Sequence, residues 1–560
     1  MKLTKSQKKY LKKNIKLKSI QDISTRLNVP VDDLEEYLKE VWGKEKFNAL
    51  KKPKEDILPK SSKYDKKLVF SFLAFLISVC YINSLGNDFV SDDIPIISAN
   101  PEINQLSYIF GPLIFNIRNF SIFLINKLFG LNPMHLRLVD ILLHLGTSFM
   151  IFILVSILVS ETVGLITASI FATHPLMSEA VSWISGGPYV YTGFLISLML
   201  YFYLKGKENK RFYYLSLLSF AVSVNILIHS APLAFLIPAL EISRGKIKTC
   251  WKKTIPYLLI ILGLIPISIS MAKTRAAGLQ AGFYQDKTFT NPLLQIPTAI
   301  GEYLRLIFWP KNLTLYHTEL SFNQTSYLLH LFIFTSFILL IFFLYKKRKP
   351  LIFWPLLFLI ALSPTLTPLG ISWVVAERYC YLASVGIFVL IAWVIDKMVK
   401  KLFKRNYEKA LYLFLALIII PLSIRTIVRN KDWKSHDTLW IATAKLSPSS
   451  PQNHNNLGDY YGRHKEYEKA LEEFKKAIEL KPGYADAYHN LANTYGEIGD
   501  LKNAITNYEN AIKFNPNLWQ SYQNLGVIYF HNGDKEKAKE YIEKALEINP
   551  YLLNSFEKNP

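Results

Sequence analysis

The chain has 560 residues, 51% hydrophobic and 19% charged, with a formal net charge of +22. That apolar share excludes an ordinary soluble globule, because the apolar residues come in blocks of roughly 17–25, the length that crosses about 30 Å of hydrocarbon as helix. Three cysteines, Cys80, Cys250 and Cys380, lie far apart in or beside those blocks and frame neither a disulfide set nor a metal site.

Residues 1–66 hold 18 Lys+Arg against 10 Asp+Glu and open on polar sequence, with no secretory signal. Within them SIQDISTRLNVPVDDLEEYLKEVW spaces Ile20, Ile23 and Leu27, then a turn at 28–30, then Leu34, Tyr37 and Leu38. The spacing predicts two short helices of helix-turn-helix type. On a membrane protein this basic head is expected to be a cytoplasmic interaction module, with no nucleic acid as partner; its lysines also favour an anionic leaflet.

Candidate spans follow near 67–85, 138–158, 162–178, 189–204, 212–228, 231–243, 254–272, 326–345, 351–367, 379–396 and 408–424. The short 231–243 stretch pairs with its predecessor as a hairpin. Segment 293–309 carries Glu302 and Arg305 at helical spacing and reads as an interfacial helix. Lys and Arg cluster at 205–211, 244–253, 346–349 and 397–409, and the loops between are poor in both. Basic loops stay cytoplasmic. About eleven crossings therefore put residues 1–66 and the basic loops inside, and 86–102 and everything beyond 424 outside. Net charge here is a topology signal for a multi-pass cell-membrane protein.

The first outer loop, GNDFVSDDIPIISANPE (86–102), carries Asp88, Asp92, Asp93 and Glu102 and no Lys or Arg. A carboxylate pair outside a membrane can bind a metal, serve as general base or cap a helix. Alone it is under-ligated for a divalent cation, whereas Asp93 ahead of Pro95 is placed to start a turn.

Beyond 425 the sequence turns polar. Pro448, Pro482, Pro516 and Pro550 recur every 34 residues, in register with Leu457, Leu491 and Leu525, with Tyr461, Tyr495 and Tyr529, and with Ala470, Ala504 and Ala538. Paired helices with small residues at their crossing and proline at each repeat end make the tetratricopeptide pattern, in three repeats over 449–550. DTLWIATAKLSP (437–448) reads as the second helix of a degenerate repeat. Such a stack forms a concave groove suited to extended polypeptide.

Four further stretches follow the acidic loop: NIRNFSIFLINKLFGLNPMHLRLVDILLHL (116–145), FATHPLMSEAVSWISG (171–186), AERYCYLASVG (376–386) and RTIVRNKDWKSHDTLW (425–440). In this order, with eleven spans and external repeats, residues 67–550 resemble the transmembrane and tetratricopeptide-repeat family of protein O-mannosyltransferase-like proteins, in the GT-C glycosyltransferase superfamily. The resemblance implies an all-α polytopic fold: a GT-C-like membrane domain over 67–424, a linker with half-repeat over 425–448, the repeats, and a tail at 551–560. It implies an active site at the outer face, where a sugar, mannose by family, passes with inversion from a lipid-linked polyprenyl-phosphate donor to a protein Ser/Thr hydroxyl. The acceptor protein would be recruited by the repeat groove.

The superfamily's acidic pair falls on Asp92 and Asp93, the expected catalytic residues. A hydroxyl is a poor nucleophile, and a placed carboxylate takes its proton as the anomeric bond breaks. Phosphate charge calls for pre-placed cations or N–H donors. Arg378 of the ERY motif leads there, with Arg137 and His174; Glu179, His144, His229 and Tyr379 are supporting residues. Each has a plainer reading: Arg378 pairing with neighbouring Glu377, Glu179 solvated, His174–Pro175 ending a helix, His144 bonding between helices. The pattern departs from the family twice. GPYVY (187–191) stands where Arg and then Asp usually follow, and IHS (228–230) where a Ser-Lys-Glu-like triplet is usual, with His229 a partial substitute. The competing expectation is a catalytically inactive, membrane-anchored repeat scaffold. A transporter fits less well, because no two-fold hydropathy repeat is present. Metal dependence stays open.

Overall fold

The computed structural model describes residues 4, 7, 10–11, 20–27, 29–42, 63–110, 115–206, 209–246, 251–264, 291–315, 317–320, 323–366 and 374–552. They fall into two compact units, Met1–Ser62 and Lys63–Pro560. Cys250 and most of the expected tail lie outside the described residues.

In the first unit α1 (Ile20–Leu27) and α2 (Val31–Trp42) meet as the spacing predicted. Pro30 halts α1's pattern and leads into α2, and Ser24 bridges the break by donating its hydroxyl to the Val29 carbonyl (2.5 Å). Ile23, Leu27, Leu34 and Leu38 close a small core with Leu11.

The second unit is helical; among the described residues there is no strand, only a lone bridge between Phe110 and Phe115. Its membrane part runs α3 (Lys66–Tyr81), α4 (Ile117–Phe129), α5 (Pro133–Leu158), α6 (Glu161–Thr173), α7 (Ser178–Ser182), α8 (Gly187–Lys205), α9 (Lys210–Ile226), α10 (Leu236–Ser243), α11 (251–264), α12 (Pro292–Phe308), α13 (Gln324–Lys347), α14 (Phe353–Leu362), α15 (Cys380–Leu402) and α16 (Tyr407–Asn430). Six stretches among the described residues are long and apolar enough to cross a membrane unaided: Lys66–Ser84, Pro133–Leu158, Ile184–Lys205, Gln324–Lys347, Glu377–Leu402 and Lys404–Trp433. The other five expected spans are largely helical in their described parts but shorter, with breaks at His174 and Leu227.

The centre of the bundle explains one of the short ones. At 13 residues, α6 is about 20 Å long. It packs against α3, α5, α15 and α16, and every residue from Thr162 to Thr173 is buried. A helix walled by protein need not match the lipid thickness. By contrast, α13 leaves Phe332, Leu339, Phe342 and Phe343 exposed, an apolar face with lipid as its natural solvent. The amphipathic segment expected at the interface, α12, packs along α13 and buries Tyr303, Leu306 and Ile307.

Contacts sort the connections into two ends. At one, the Lys63 N–H donates to Glu161 Oε2 (2.6 Å), Lys63 Nζ pairs with Glu408 (3.3 Å) and Tyr407 donates to Asp396 (2.5 Å). At the other, the Thr426 hydroxyl donates to the Thr173 carbonyl (2.7 Å) and Arg425 to the Lys311 carbonyl (2.9 Å). The acidic loop lies at this second end, where the Asp88 N–H donates to the Lys434 carbonyl (2.9 Å).

The C-terminal stack begins with α17 (His436–Leu446) and continues as pairs α18 (Pro451–Arg463) and α19 (Tyr467–Leu480), α20 (Ala485–Ile498) and α21 (Leu501–Phe514), α22 (Trp519–His531) and α23 (Lys535–Ile548). Small residues make the crossings. A Cβ on Gly458 would lie 2.7 Å from the Phe474 ring, and one on Gly526 2.7 Å from Ile542. Ala470, Ala504 and Ala538 are buried on the partner helices.

Candidate active site

Past α3 the chain folds back through a tight turn at Val90–Asp93, in which the Asp93 N–H donates to the Val90 carbonyl (3.0 Å). Ser91 adopts φ 51°, a left-handed conformation that costs a non-glycine residue about 1–2 kcal/mol. The two aspartates that follow have different fates. Asp93 is fully buried: Oδ1 accepts from the Ser185 N–H (2.7 Å) and the Ser185 hydroxyl (2.6 Å), and Oδ2 accepts from the Val90 N–H (3.3 Å). Burial pushes its carboxyl up to about 6, against the pull of these donors and of Arg137. It caps no helix start; one of its bonds closes the turn on Val90 and the two to Ser185 are tertiary. Asp92, one residue earlier, is exposed.

Arg137 fixes the loop from behind. On α5 and fully buried, it donates from Nε to the Ser182 carbonyl (2.7 Å), from Nη1 to Asn87 O (2.8 Å) and from Nη2 to Asp88 O (3.1 Å). The guanidinium expected on the phosphate side is thus a clamp across three carbonyls. Asn430 works alongside it. Its Nδ2 donates to Cys80 O (2.8 Å), its Oδ1 accepts from the Ser182 hydroxyl (2.9 Å), and its carbonyl accepts from Asn87 Nδ2 (3.0 Å).

The ERY residues form the next layer. Arg378 pairs through Nη1 with Glu179 and donates its N–H to the same carboxylate (3.0 Å). Glu179 is buried, not solvated, and it, not Glu377, is the partner of Arg378. Glu377 accepts instead from Arg429 (3.0 Å), which also reaches Asp432 (2.9 Å). Aromatic faces join the layers. The Arg378 guanidinium lies 5.4 Å from the Trp183 ring, which stacks on Trp433 (5.6 Å, 18°), and Arg429 lies 5.4 Å from Trp433. Trp183 Nε1 donates to the Val90 carbonyl (3.2 Å), so one tryptophan connects Arg378 to the acidic turn.

The remaining candidates are placed as follows. His174 is buried; its Nδ1 accepts from the Leu176 N–H (3.2 Å) and its Nε2 meets the Ile307 carbonyl (3.0 Å), which makes Nε2 the protonated nitrogen. It therefore caps the turn after α6. His144 bonds between helices, to the Tyr381 hydroxyl (2.8 Å). Tyr379 lies under the Arg378 guanidinium (4.9 Å) and, with His229, lines a cavity at this end of the bundle. The structure brings Asp92, Asp93, Arg137, Glu179 and Arg378 around one turn. His174 and His144 are bonded within the helix packing.

Sequence reading missed Asp140, Ser185, Asn430, Arg429 and Trp433. Asp140, one turn below Arg137 on α5 and buried, was an intramembrane carboxylate in plain view. A Cβ on Gly187 would fall 2.8 Å from its Oδ1, so the glycine makes room for it. Among the described residues, no group of three or more His, Cys, Asp or Glu side chains is placed to hold a metal ion.

Comparison with known proteins matches this arrangement to a class. Residues 117–271 match the family described as dolichyl-phosphate-mannose-protein mannosyltransferase, and tetratricopeptide-repeat families match 463–499, 485–518 and 520–551. The mannosyltransferase match includes Arg137, Glu179 and His229 and lies outside both the acidic loop and the ERY motif. Among individual proteins, the chain is similar to protein O-mannosyl-transferase TMTC3 of Homo sapiens, 25% identical over 469 residues, 73% of this chain and 51% of the relative. It is also similar to protein O-mannosyl-transferase Tmtc2 of Drosophila melanogaster, 31% identical over 112 residues, 20% of this chain and 12% of the relative. The crystal structure of MamA, 26% identical, overlaps 29% of this chain and 90% of its own at a TM-score of 0.20. The resemblance read from the motifs holds: the chain joins a mannosyltransferase-type segment to tetratricopeptide repeats, in a protein with membrane-spanning helices. It spans about half the length of the TMTC3 relative.

Proposed function

We propose that the chain is a membrane glycosyltransferase of GT-C type that moves a sugar, mannose by family, from a polyprenyl-phosphate donor to Ser/Thr hydroxyls of proteins on the extracytoplasmic face. One observation carries the reading: a strained turn presents Asp92 to solvent while its neighbour Asp93 and the Arg137 clamp hold that turn in place. Fixed geometry is what a general base needs. Asp92 takes the acceptor hydroxyl proton as oxygen bonds to the anomeric carbon, and the carbon–phosphate-oxygen bond breaks with its electrons leaving on the phosphate. Asp93 positions the loop. Arg378, its charge offset by Glu179, contributes directed N–H groups rather than net charge.

Eleven crossings, with a cytoplasmic head at 1–66 and a membrane domain at 67–424, complete the proposal. It is supported by the sorting of connections into two ends: Lys63, Glu161, Asp396 and Glu408 meet at one, and the acidic loop, Arg425 and Lys434 at the other. The linker and half-repeat at 425–448 then begin on the same face as Asp92, and the repeats at 449–550 hold the acceptor near it, a tethering effect.

The test is transfer by purified full chain from polyprenyl-phosphate mannose to a Ser/Thr peptide. Asp92→Asn should lower it roughly 10²–10⁴-fold and Asp93→Asn less; unaltered transfer in Asp92→Asn protein refutes the assignment. Removing 449–560 should weaken modification of a protein acceptor and spare a short peptide in excess. A second reading, an inactive scaffold, is favoured by the engagement of Arg137, Arg378 and Arg429 with protein partners. Absence of transfer from any polyprenyl-linked sugar, with intact capture of extracytoplasmic proteins by the repeats, would select it.

A further inference from the structure

Beside the acidic turn, the bundle holds a partly open cavity that none of the steps above uses. Its walls are Tyr189 and Thr192 of α8, His229 and Ser230 of the segment after α9, Thr365 after α14, and Tyr379 of the ERY motif. The cavity adjoins the proposed reaction centre on two sides. Tyr189 follows by four residues Ser185, which holds Asp93, and Tyr379 carries the Arg378 guanidinium over its ring at 4.9 Å.

The lining has a distinct chemistry. Among the described residues it includes no Asp, Glu, Lys or Arg, but it presents serine, threonine and tyrosine hydroxyls and an imidazole between apolar residues. The Tyr189 and Tyr379 rings stand 5.8 Å apart and tilted by 44°. One group asks for a ligand outright: Thr192 Oγ1 is buried and has no hydrogen-bond partner among the described residues. Buried hydroxyls without partners are rare because each forfeits its hydration.

We infer that this cavity receives the glycosyl ring of the donor, a neutral hexosyl group; the inference rests on the transferase reading above. A phosphate placed here would lose its hydration with no cation or row of N–H donors in return. A prenyl tail would leave the hydroxyls unpaired. A hexose suits both halves of the lining, because its C–H faces pack on tyrosine rings and its hydroxyls exchange hydrogen bonds with Thr192, Ser230 and Thr365. Small-molecule sites pair an apolar wall with a few placed polar groups in this way. The charged IHS counterpart expected from the family is absent here, and a neutral sugar site has no need of it.

The experiment measures equilibrium binding by the purified full chain of two probes, short-chain polyprenyl-phosphate mannose and the same polyprenyl phosphate without sugar. Thr192→Val removes the hydroxyl at constant shape, and Thr192→Phe fills the cavity. Thr192→Val should weaken the mannosylated lipid about 5- to 30-fold and leave the sugar-free lipid unchanged, and Thr192→Phe should abolish the preference between the two. Equal loss for both lipids, or no loss for either, overturns the assignment, as does a wild-type protein with no preference. Competition by a nucleoside-diphosphate mannose in wild type but not in Thr192→Phe would keep the glycosyl site and replace the lipid donor with a soluble one. A wild type that binds the mannosylated lipid through Thr192 yet transfers nothing keeps the cavity assignment and sinks the transferase reading alone.

Discussion

In the repeats, most ion pairs join residues three or four apart on helix surfaces, as Lys476 does with Glu472 (2.8 Å) and Lys537 with Asp534 (3.8 Å). At the acidic-loop end of the bundle two pairs join residues distant in sequence and withdrawn from water: Arg378 with Glu179, and Arg429 with Glu377. Charge on an exposed helix face is nearly free and nearly worthless to stability. A buried pair repays its lost hydration only when both partners are present and well aligned, so removal of one is severe. The repeats are therefore built to vary residue by residue. The site is built to be complete or not at all.

Truncation should show that contrast most sharply. Ending the chain after Ile427 removes Arg429, Asn430 and Trp433 together and should abolish a monodisperse peak in size-exclusion chromatography in detergent. Ending it after Pro448 keeps Trp433, Leu439 and Trp440 packed with Val90 and Trp183 and should preserve the peak. Next, Arg429→Ala leaves Glu377 buried with only the His317 imidazole near it (3.7 Å), at a cost of about 3–5 kcal/mol, read as a lowered unfolding temperature. Recovery of most of that loss in Arg429→Ala/Glu377→Gln protein would assign it to the orphaned charge.

A smaller effect depends on pH. Asp93 carries a carboxyl raised from 3.8 to about 6 by burial, so the folded protein holds this proton more tightly than the unfolded chain. The resulting stabilisation is fully present below about pH 4 and is lost as pH rises through about 6, a swing of roughly 3 kcal/mol. Asp93→Asn should flatten that part of the profile of unfolding temperature against pH, and a profile identical to wild type would contradict it. Ser91→Gly should relieve the left-handed turn and stabilise by about 1 kcal/mol, with transfer reduced if strain helps to present Asp92. Smallest of all, Lys476→Ala on the repeat surface should change stability by less than about 1 kcal/mol, measured by thermal unfolding of the same full chain.

The same contrast explains what could be read from sequence. Repeats declare themselves because one packing solution recurs, so Gly458, Ala492 and Gly526 sit in register 34 residues apart where helices cross. Helical spans were legible from apolar runs, and all eleven stretches are largely helical where described, although six among the described residues are long and apolar enough to cross alone. The length of α6 follows from its being enclosed by other helices, which no local window records. At the site, the motif residues Asp92, Arg137 and Arg378 were visible, but their partners were not. Nothing in local sequence couples Glu179 to Arg378, 199 positions away, or chooses Glu179 over the adjacent Glu377. The two aspartates look equivalent in sequence; burial against Ser185 alone separates them.

The position of Asn430 has a consequence for the order in which the protein is made. Its side chain meets Cys80 and Ser182, and its carbonyl meets Asn87, groups synthesised about 250–350 residues earlier. At ribosomal rates of roughly 5–20 residues per second, the acidic turn waits tens of seconds or longer for its last bond. Until the final membrane helix has emerged, the turn lacks these partners and Glu377 lacks Arg429. A nascent chain in the membrane would thus carry all of its acidic motif before it can hold Asp92 in place, and maturation of the site would coincide with delivery of the first repeat helix.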